Sequence, residues 1–121
     1  MLGNVKRERA LLERTYDGQM TVIGNRKETI DGETVVTPDA VLFEGQPCAL
    51  SRKNDAETAQ ADDAGRVSVL AKLFCAPELV IPAGCRITVT QYGQTRAFQY
   101  SGEAFQYPTH QELTVKMEAT A

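Results

Sequence analysis

The stretch LFCAPELVIPAGCRI, residues 73–87, lies where one strand-forming run ends and another begins. Pro77 and Pro82 lack the backbone N–H that a strand ladder requires, so neither position continues a central strand. A turn that contains Gly84 then leads into a second alternating run, which starts at Arg86. We therefore predict a fold corner that joins two core strands.

Two of the three cysteines, Cys75 and Cys85, lie at the ends of this corner. Zinc sites usually bring ligands in close C-x2-C pairs, and no such pair occurs in the sequence. We interpret these thiols, together with Cys48, as small buried residues at strand ends, and we predict no metal and no cofactor. A disulfide between Cys75 and Cys85 in oxidised samples stays open.

The length and composition are those of one ordinary domain. The chain has 121 residues, of which 42% are hydrophobic and 24% charged, and its net charge is -3. That charge argues against broad binding of nucleic-acid phosphates. No apolar run approaches the roughly 18 residues of a membrane span, and the N-terminus lacks the apolar core of a signal peptide, so we expect a cytosolic protein with no membrane contact.

Seven short runs rich in β-branched and aromatic residues follow the first nineteen residues. Asp31-Gly32 and Tyr92-Gly93 are hairpin turn signals between neighbouring runs. We predict a mainly β domain, a small barrel or sandwich of about six to seven short antiparallel strands over residues 19–118. The runs are MTVIG (20–24), ETVVT (33–37), AVLFEG (40–45), VSVLAKLF (67–74), RITVTQ (86–91), RAFQY (96–100) and ELTVKM (112–117).

Residues 1–16 predict an N-terminal helix, because helix-forming residues run there without proline and Asn4 is a plausible N-cap. Val5, Leu12 and Tyr16 give it only a narrow apolar stripe. Four bases stand against two acids in this segment. A surface or docking helix is therefore expected.

A long polar loop is predicted over residues 52–66, within the segment SRKNDAETAQADDAGR, residues 51–66. The segment has no large apolar residue and carries four acids against three bases. Loops of this length in compact domains are usually functional or disordered. Both a functional flexible loop and a solvated excursion without a role stay open.

The one histidine, His110, shares a strand face with Glu112 by parity. A histidine beside a carboxylate is a possible proton-transfer pair, but no nucleophile motif accompanies it. Glycine-rich phosphate loops are absent from the sequence as well. We predict that the protein is not an enzyme.

An alternative function is binding of single-stranded nucleic acid by a small β-barrel. Such barrels stack bases on aromatic side chains beside a basic face. Phe98, Tyr100, Phe105 and Tyr107 cluster late in the chain, yet only Arg96 lies among them. The aromatics suit this function, and the charge does not.

The order of motifs from Gly45 to Met117 resembles that of small head-closure (minor capsid) proteins at the head-tail connector of tailed bacteriophages. Shared features are a strand before a long loop, an LF-x-x-P element, an IP-x-G-x-x-I-x-V hairpin opening and a last strand announced by Y-x-x-H-x-E. They are carried here by Gln46-Pro47-Cys48, by Leu73, Phe74 and Pro77, by Ile81-Pro82-Ala83-Gly84 with Ile87 and Val89, and by Tyr107, His110, Gln111 and Glu112.

This resemblance implies a structural component of a phage or prophage virion. Such proteins form a homo-oligomeric ring below the portal and adaptor, retain packaged double-stranded DNA and present the surface on which the tail docks. The implied partners are a portal-side adaptor protein, a tail terminator or tail tube protein, and the DNA in the channel. The implied location is the virion, with the bacterial host cytoplasm during assembly.

The resemblance also places the long loop in the channel of the ring, where repeated acidic loops repel passing DNA. The hypothetical channel residues are Arg52, Lys53, Asp55, Glu57, Asp62, Asp63 and Arg66. The N-terminal helix has the opposite charge and is expected to dock on a neighbouring subunit or on the adaptor. The hypothetical docking residues are Lys6, Arg7, Arg9, Leu12 and Arg14.

Overall fold

The structure, a computed structural model, describes residues 4–52, 59–61 and 67–117. Within these ranges the chain forms one helix and seven strands, which confirms the mainly β prediction. The elements are α1 (Val5–Glu13), β1 (Gly18–Ile30), β2 (Glu33–Arg52), β3 (Ala59–Ala61), β4 (Val67–Cys75), β5 (Arg86–Gln91), β6 (Gln94–Gln106) and β7 (Gln111–Met117).

Six of the strands close into an antiparallel barrel, so the structure selects the barrel over the sandwich. Their order is β2-β1-β5-β6-β7-β4. Closure comes from the pairing of β2 with β4, which runs from Cys48 opposite Cys75 to Arg52 opposite Ala71. A closed barrel leaves no free sheet edge along its wall.

The barrel core is built by alternate residues of the strands. Leu113 and Val115 of β7 are buried, while Thr114 and Lys116 between and beyond them are not, as the sequence pattern predicts. The largest fully buried side chains are those of Phe98, Met20, Leu73, Ile87, Leu113, Val22, Val89, Val115, Cys48 and Cys75.

The corner predicted from residues 73–87 is present, since β4 ends at Cys75 and β5 begins at Arg86. A buried side chain from the last strand holds it: the Nε2 of Gln111 donates to the carbonyl oxygens of Ala76 at 2.8 Å and Leu79 at 2.7 Å. These bonds satisfy two backbone acceptors that a strand would otherwise pair. The corner is thus fixed by tertiary contacts as well as by its prolines.

The prediction of two separate strands at residues 33–37 and 40–45 is wrong, because both belong to the 20-residue strand β2. Pro38 does not end the strand, since it falls in a register shift between the pairs Gly24 with Ala40 and Arg26 with Thr37. A bulge of this kind leaves a residue unpaired, so the missing N–H of proline costs no ladder bond.

The segment predicted as a long loop contains a short strand. The backbone of β3 pairs antiparallel with β4, from Ala59 opposite Val69 to Ala61 opposite Val67. Residues 53–58 and 62–66 lie outside the described part of the chain. The described part of residues 52–66 is therefore regular strand, in Arg52 and in β3.

Both predicted hairpin turns are confirmed. Asp31 and Gly32 have φ of 51° and 81°, and Tyr92 and Gly93 have φ of 52° and 74°. Two successive positive φ angles define a type I′ turn, whose twist matches that of a tight hairpin.

The first hairpin extends well beyond the barrel wall, and we call its outer part, residues 25–39, the arm. Every residue of the arm is exposed. Its ladder runs from Arg26 opposite Thr37 to Ile30 opposite Glu33. Among the described residues, β1 pairs with β5 only from Gly18 to Ile23, so the arm has no strand neighbour on that side.

The helix α1 is shorter than predicted, beginning at Val5 and ending at Glu13. It ends in tightened turns, because the N–H groups of Thr15 and Tyr16 donate to the carbonyls of Leu12 and Glu13, three residues back, and the Oγ1 of Thr15 donates to the Leu12 carbonyl as well at 2.6 Å. Asn4 occupies the N-cap position without a side-chain capping bond. No helix in the described residues is long and apolar enough to cross a membrane.

Candidate interaction surfaces

The outer face of α1 is cationic and partly apolar, and we call it the helix surface. Each member has another member three or four residues away, which places them on one side of the helix. All are exposed, and Leu11 is 55% exposed. The face combines three positive charges with two apolar side chains, and the exposed Glu8 borders it three residues before Leu11. The helix surface consists of Lys6, Arg7, Ala10, Leu11 and Arg14.

The inner side of α1 holds the helix on its own barrel. Arg9 donates to Glu13 at 2.9 Å and to Glu78, in the corner segment, at 2.6 Å. The bond from Arg9 lowers the pKa of Glu78, and the two carboxylates raise the pKa of Arg9. Leu12 is half-buried. Of the predicted docking residues, Arg9 and Leu12 therefore serve attachment within the chain, while Lys6, Arg7 and Arg14 face outward.

Tyr16 anchors the segment after α1. Its ring is half-buried, and its hydroxyl oxygen is buried without a hydrogen-bond partner among the described residues. Burial raises the pKa of Tyr16 to about 12, so the side chain stays neutral at physiological pH.

One face of the arm carries two acids around two apolar side chains, and we call it the arm surface. Glu28 lies opposite Val35, and Ile30 lies opposite Glu33, so the four side chains point to one side of the ribbon. Ile30 is 51% exposed and Val35 is 41% exposed. The arm surface thus presents negative charge and accessible apolar area together.

The nearest base on the same side of the ribbon, Arg26, does not neutralise the negative charge of the arm surface. Arg26 has the same parity as Glu28, but its guanidinium donates to the carbonyl of Val41 at 2.5 Å, toward the barrel. Asp31, at the tip turn, adds a third exposed acid. The outer end of the arm is therefore net acidic.

Sequence reasoning missed the arm, because the residues of β1 and β2 were divided into short strands. One signal was present: the segment NRKETI, residues 25–30, leads into the Asp31-Gly32 turn without any alternating apolar residue. A hairpin whose strand has no apolar face does not cover a core. That pattern indicates a ribbon that leaves the barrel.

The predicted channel loop lies between β2 and β4 in the sequence. Arg52 is the last residue of β2, where its backbone pairs with Ala71. The other hypothetical channel residues lie outside the described residues, and their role stays a prediction. They are Lys53, Asp55, Glu57, Asp62, Asp63 and Arg66.

The structure brings His110 and Glu112 together, as strand parity predicts. His110 Nε2 lies 3.2 Å from Glu112 Oε2, and its Nδ1 lies 2.9 Å from the hydroxyl oxygen of Thr109. The ring of Tyr107 stacks on the imidazole with centroids 4.8 Å apart. Lys72 lies 3.4 Å from the same carboxylate. These contacts tie the start of β7 to β4 and orient the imidazole by packing.

All three cysteines, Cys48, Cys75 and Cys85, are free and buried. Burial raises the pKa of Cys48 and of Cys75 to about 12, which keeps these thiols protonated. The partner of Cys75 across the sheet is Cys48, whereas the sulfur of Cys85 lies beside Gly24. No cluster of three or more His, Cys, Asp or Glu that is suited to a metal occurs in the described part of the chain.

The late aromatic cluster is divided between the core and the surface. Phe98 and Tyr100 are buried, so their faces are unavailable for stacking on bases. Phe105 is 59% exposed, and Tyr107 is exposed but stacks on His110. The four rings do not form one open platform.

Comparisons with known proteins give no match: no family model, no curated protein and no solved structure is similar to this chain. What the protein does is therefore inferred from its own surfaces and from the order of motifs between Gly45 and Met117.

Proposed function

We propose that this protein is a head-closure or head-tail connector component of a phage or prophage virion. It forms a homo-oligomeric ring below the portal and adaptor, retains the packaged DNA and provides the surface on which the tail terminator or tail tube docks. The protein acts as a structural part and not as an enzyme.

The observation that carries the proposal is the exposed arm. A two-stranded ribbon in water is marginally stable by itself, because it buries little apolar surface. The arm nevertheless keeps Ile30, Val35 and Val36 accessible, at 51%, 41% and 48% exposure. Such residues on a projecting ribbon favour contact with another protein. A ring component needs contacts of this kind with its neighbours.

The closed barrel supports the same function. Barrel closure removes the sheet edges on which uncontrolled strand pairing begins, so assembly is directed to the appended segments. The helix, the arm and the segment between β2 and β4 are those appendages. A compact spacer with specific docking elements is what a connector ring requires.

The acidic segment at residues 52–66 supports the DNA-retention part of the proposal. Four acids against three bases in each copy accumulate negative charge when the copies surround one channel. Such a ring repels the phosphate backbone and does not bind passing DNA. The segment is then a barrier and not a DNA-binding site.

The deciding experiment is electron microscopy of particles assembled without this protein, with a complemented strain as control. We expect filled heads that lose their DNA and carry no tails. Normal tailed particles would overturn the proposal. In the complemented strain, deleting residues 56–64 is expected to cause DNA loss while the protein remains in the particle, and full DNA retention by that deletion would remove the barrier role.

A further inference from the structure

We propose that the arm surface of one copy binds the helix surface of a second copy of this chain. The inference deepens the proposed function, resting on its self-assembly part, by naming the contact that joins neighbouring subunits. The partner of each surface is thus the opposite surface on a second molecule of this protein.

Charge complementarity is the first argument. The arm surface carries Glu28 and Glu33, with Asp31 at the tip, whereas the helix surface carries Arg7 and Arg14 with Lys6 beside them. Opposite patches of this kind steer association and fix its register. Like patches repel, so arm against arm and helix against helix are both disfavoured.

The apolar parts of the two surfaces also correspond. Each surface includes an exposed large aliphatic side chain next to a charged one: Ile30 lies opposite Glu33 on the arm, and Leu11 follows Arg7 by one helical turn, at 51% and 55% exposure. Charged and aliphatic side chains are thus neighbours on both surfaces, and protein interfaces combine apolar and polar contacts in this way. Joining the two surfaces removes both aliphatic groups from water.

The spacing of the charges matches as well. Arg7 and Arg14 lie seven residues apart on α1, which separates their Cα atoms by about 10 Å along the helix axis. Glu28 and Glu33 lie on neighbouring strands, two ladder steps apart, which separates their Cα atoms by about 8 Å. Long arginine side chains span this difference.

Neither surface is covered within one molecule. Lys6, Arg7 and Arg14 are exposed and make no ion pair with any described residue, and the same holds for Glu28 and Glu33. Arg9, by contrast, is already paired with Glu13 and Glu78. The helix is therefore attached by one side and leaves the other side for a partner.

The contact joins unlike surfaces, so it is heterologous. Each copy offers one arm and one helix surface, and a head-to-tail contact can continue from copy to copy until a ring closes. This is the symmetry that a connector ring needs.

A disulfide trap tests the contact directly. Leu11→Cys and Ile30→Cys variants of the full chain are mixed at high concentration and oxidised, with one variant carrying a mass tag. We expect the mixed dimer to exceed either homodimer severalfold. The matched control is Val80→Cys, at a site that is 79% exposed and belongs to neither surface. The native thiols are buried, so they contribute little background.

A mixed Leu11→Cys and Ile30→Cys dimer no more abundant than the pairings with Val80→Cys would overturn the proposal. This holds even if the wild-type protein is a monomer in dilute solution, because trapping at high concentration captures weak contacts. Homodimers of Ile30→Cys alone in excess would show arm-to-arm contact and would also overturn it.

Charge reversal gives a second test, read by sedimentation and by cross-linking yield. Glu28→Lys with Glu33→Lys on the arm, or Arg7→Glu with Arg14→Glu on the helix, is expected to weaken self-association at least about tenfold. Mixing the two reversed variants restores it, since each now meets an opposite charge. Glu44→Lys with Glu103→Lys is the control for the net charge change of the arm variant, at two exposed sites off both surfaces. Equal weakening by that control, or no rescue on mixing, contradicts the proposal.

The two proposals fail in distinguishable ways. If particles lacking the protein are normal but the trap succeeds, the self-contact stands and the virion role falls. If particles need the protein but the trap fails, the virion role stands and another surface builds the ring.

Discussion

The strands β1 and β2 have one half in the barrel and one half in the arm. Both halves form the same backbone ladder, but only the barrel half is buried, so comparing them shows what burial adds to strand pairing. In the barrel, Met20 and Val22 are almost completely buried. In the arm, the same antiparallel ladder continues while every side chain is exposed. Hydrogen bonding is shared by both halves, so the difference in stability between them comes from apolar burial. The barrel half stabilises the fold, and the arm half is free to serve a partner.

The largest expected difference follows from removing the same side chain in each region. Ile87→Ala leaves a cavity at a fully buried site and is expected to lower the free energy of unfolding by about 3 to 4 kcal/mol. Ile30→Ala, at the 51% exposed arm site, is expected to change it by less than about 0.5 kcal/mol. Urea denaturation of both variants measures the two changes in the free energy of unfolding. Similar losses at the two sites would show that the arm is part of the cooperative core.

The corner offers a contrast between a buried and an exposed glutamine. Gln111→Ala removes the donor to the carbonyls of Ala76 and Leu79 and is expected to cost about 2 kcal/mol, because two part-buried acceptors lose their partner. Gln106→Ala, which removes an exposed bond to the carbonyl of Pro77, is expected to cost less than about 0.5 kcal/mol. Thermal denaturation of both variants provides the comparison. Equal shifts in Tm would mean that Gln111 does not hold the corner.

The two type I′ turns give a matched test with identical chemistry. Gly93 and Gly32 both have positive φ, and a Cβ at either position meets no atom within 4 Å, so alanine adds only conformational cost. Gly93→Ala, in the barrel hairpin, is expected to lower the free energy of unfolding by about 1 kcal/mol.

Gly32→Ala is expected to leave the free energy of unfolding of the whole protein unchanged within about 0.3 kcal/mol, because the arm opens without unfolding the barrel. Its effect appears instead as faster amide hydrogen exchange in residues 26–30. A global loss equal to that of Gly93→Ala would contradict the independence of the arm.

Removing the arm altogether is also expected to leave the stability of the barrel nearly unchanged. Gly24 and Ala40 are paired across the hairpin, so residues 25–39 can be replaced by Asn-Gly, which forms a two-residue I′ turn. We expect the free energy of unfolding to stay within about 0.5 kcal/mol of wild type. The same variant is expected to lose self-association in sedimentation and trapping experiments. A large drop in the free energy of unfolding would contradict the conclusion that only the barrel half stabilises the fold.

Much of the barrel was predictable because its signals are local. Alternation at Leu113 and Val115, the turns at Asp31-Gly32 and Tyr92-Gly93, and the prolines of the corner each specify a conformation within a few residues. The pairing of His110 with Glu112 followed in the same way from strand parity. The ring and channel roles stay predictions.

The surfaces were harder to predict, since they depend on which residues the fold leaves uncovered. Arg9 and Arg14 have the same chemistry, yet Arg9 meets Glu78, which is distant in sequence, and Arg14 does not. Pro38 indicated a strand break that the bulge in β2 absorbs. Neither outcome follows from local pattern, because each depends on a partner segment.

The sequence by itself determined the class of structure, the positions of the turns and the corner, and the burial of the strand faces, because backbone preference and hydrophobic alternation act locally. Tertiary structure alone decided that the sheet closes through Cys48 to Arg52, that Gln111 braces the corner and that residues 25–39 stand outside the core. These features depend on register between distant segments, and register is selected by the packing of the whole barrel.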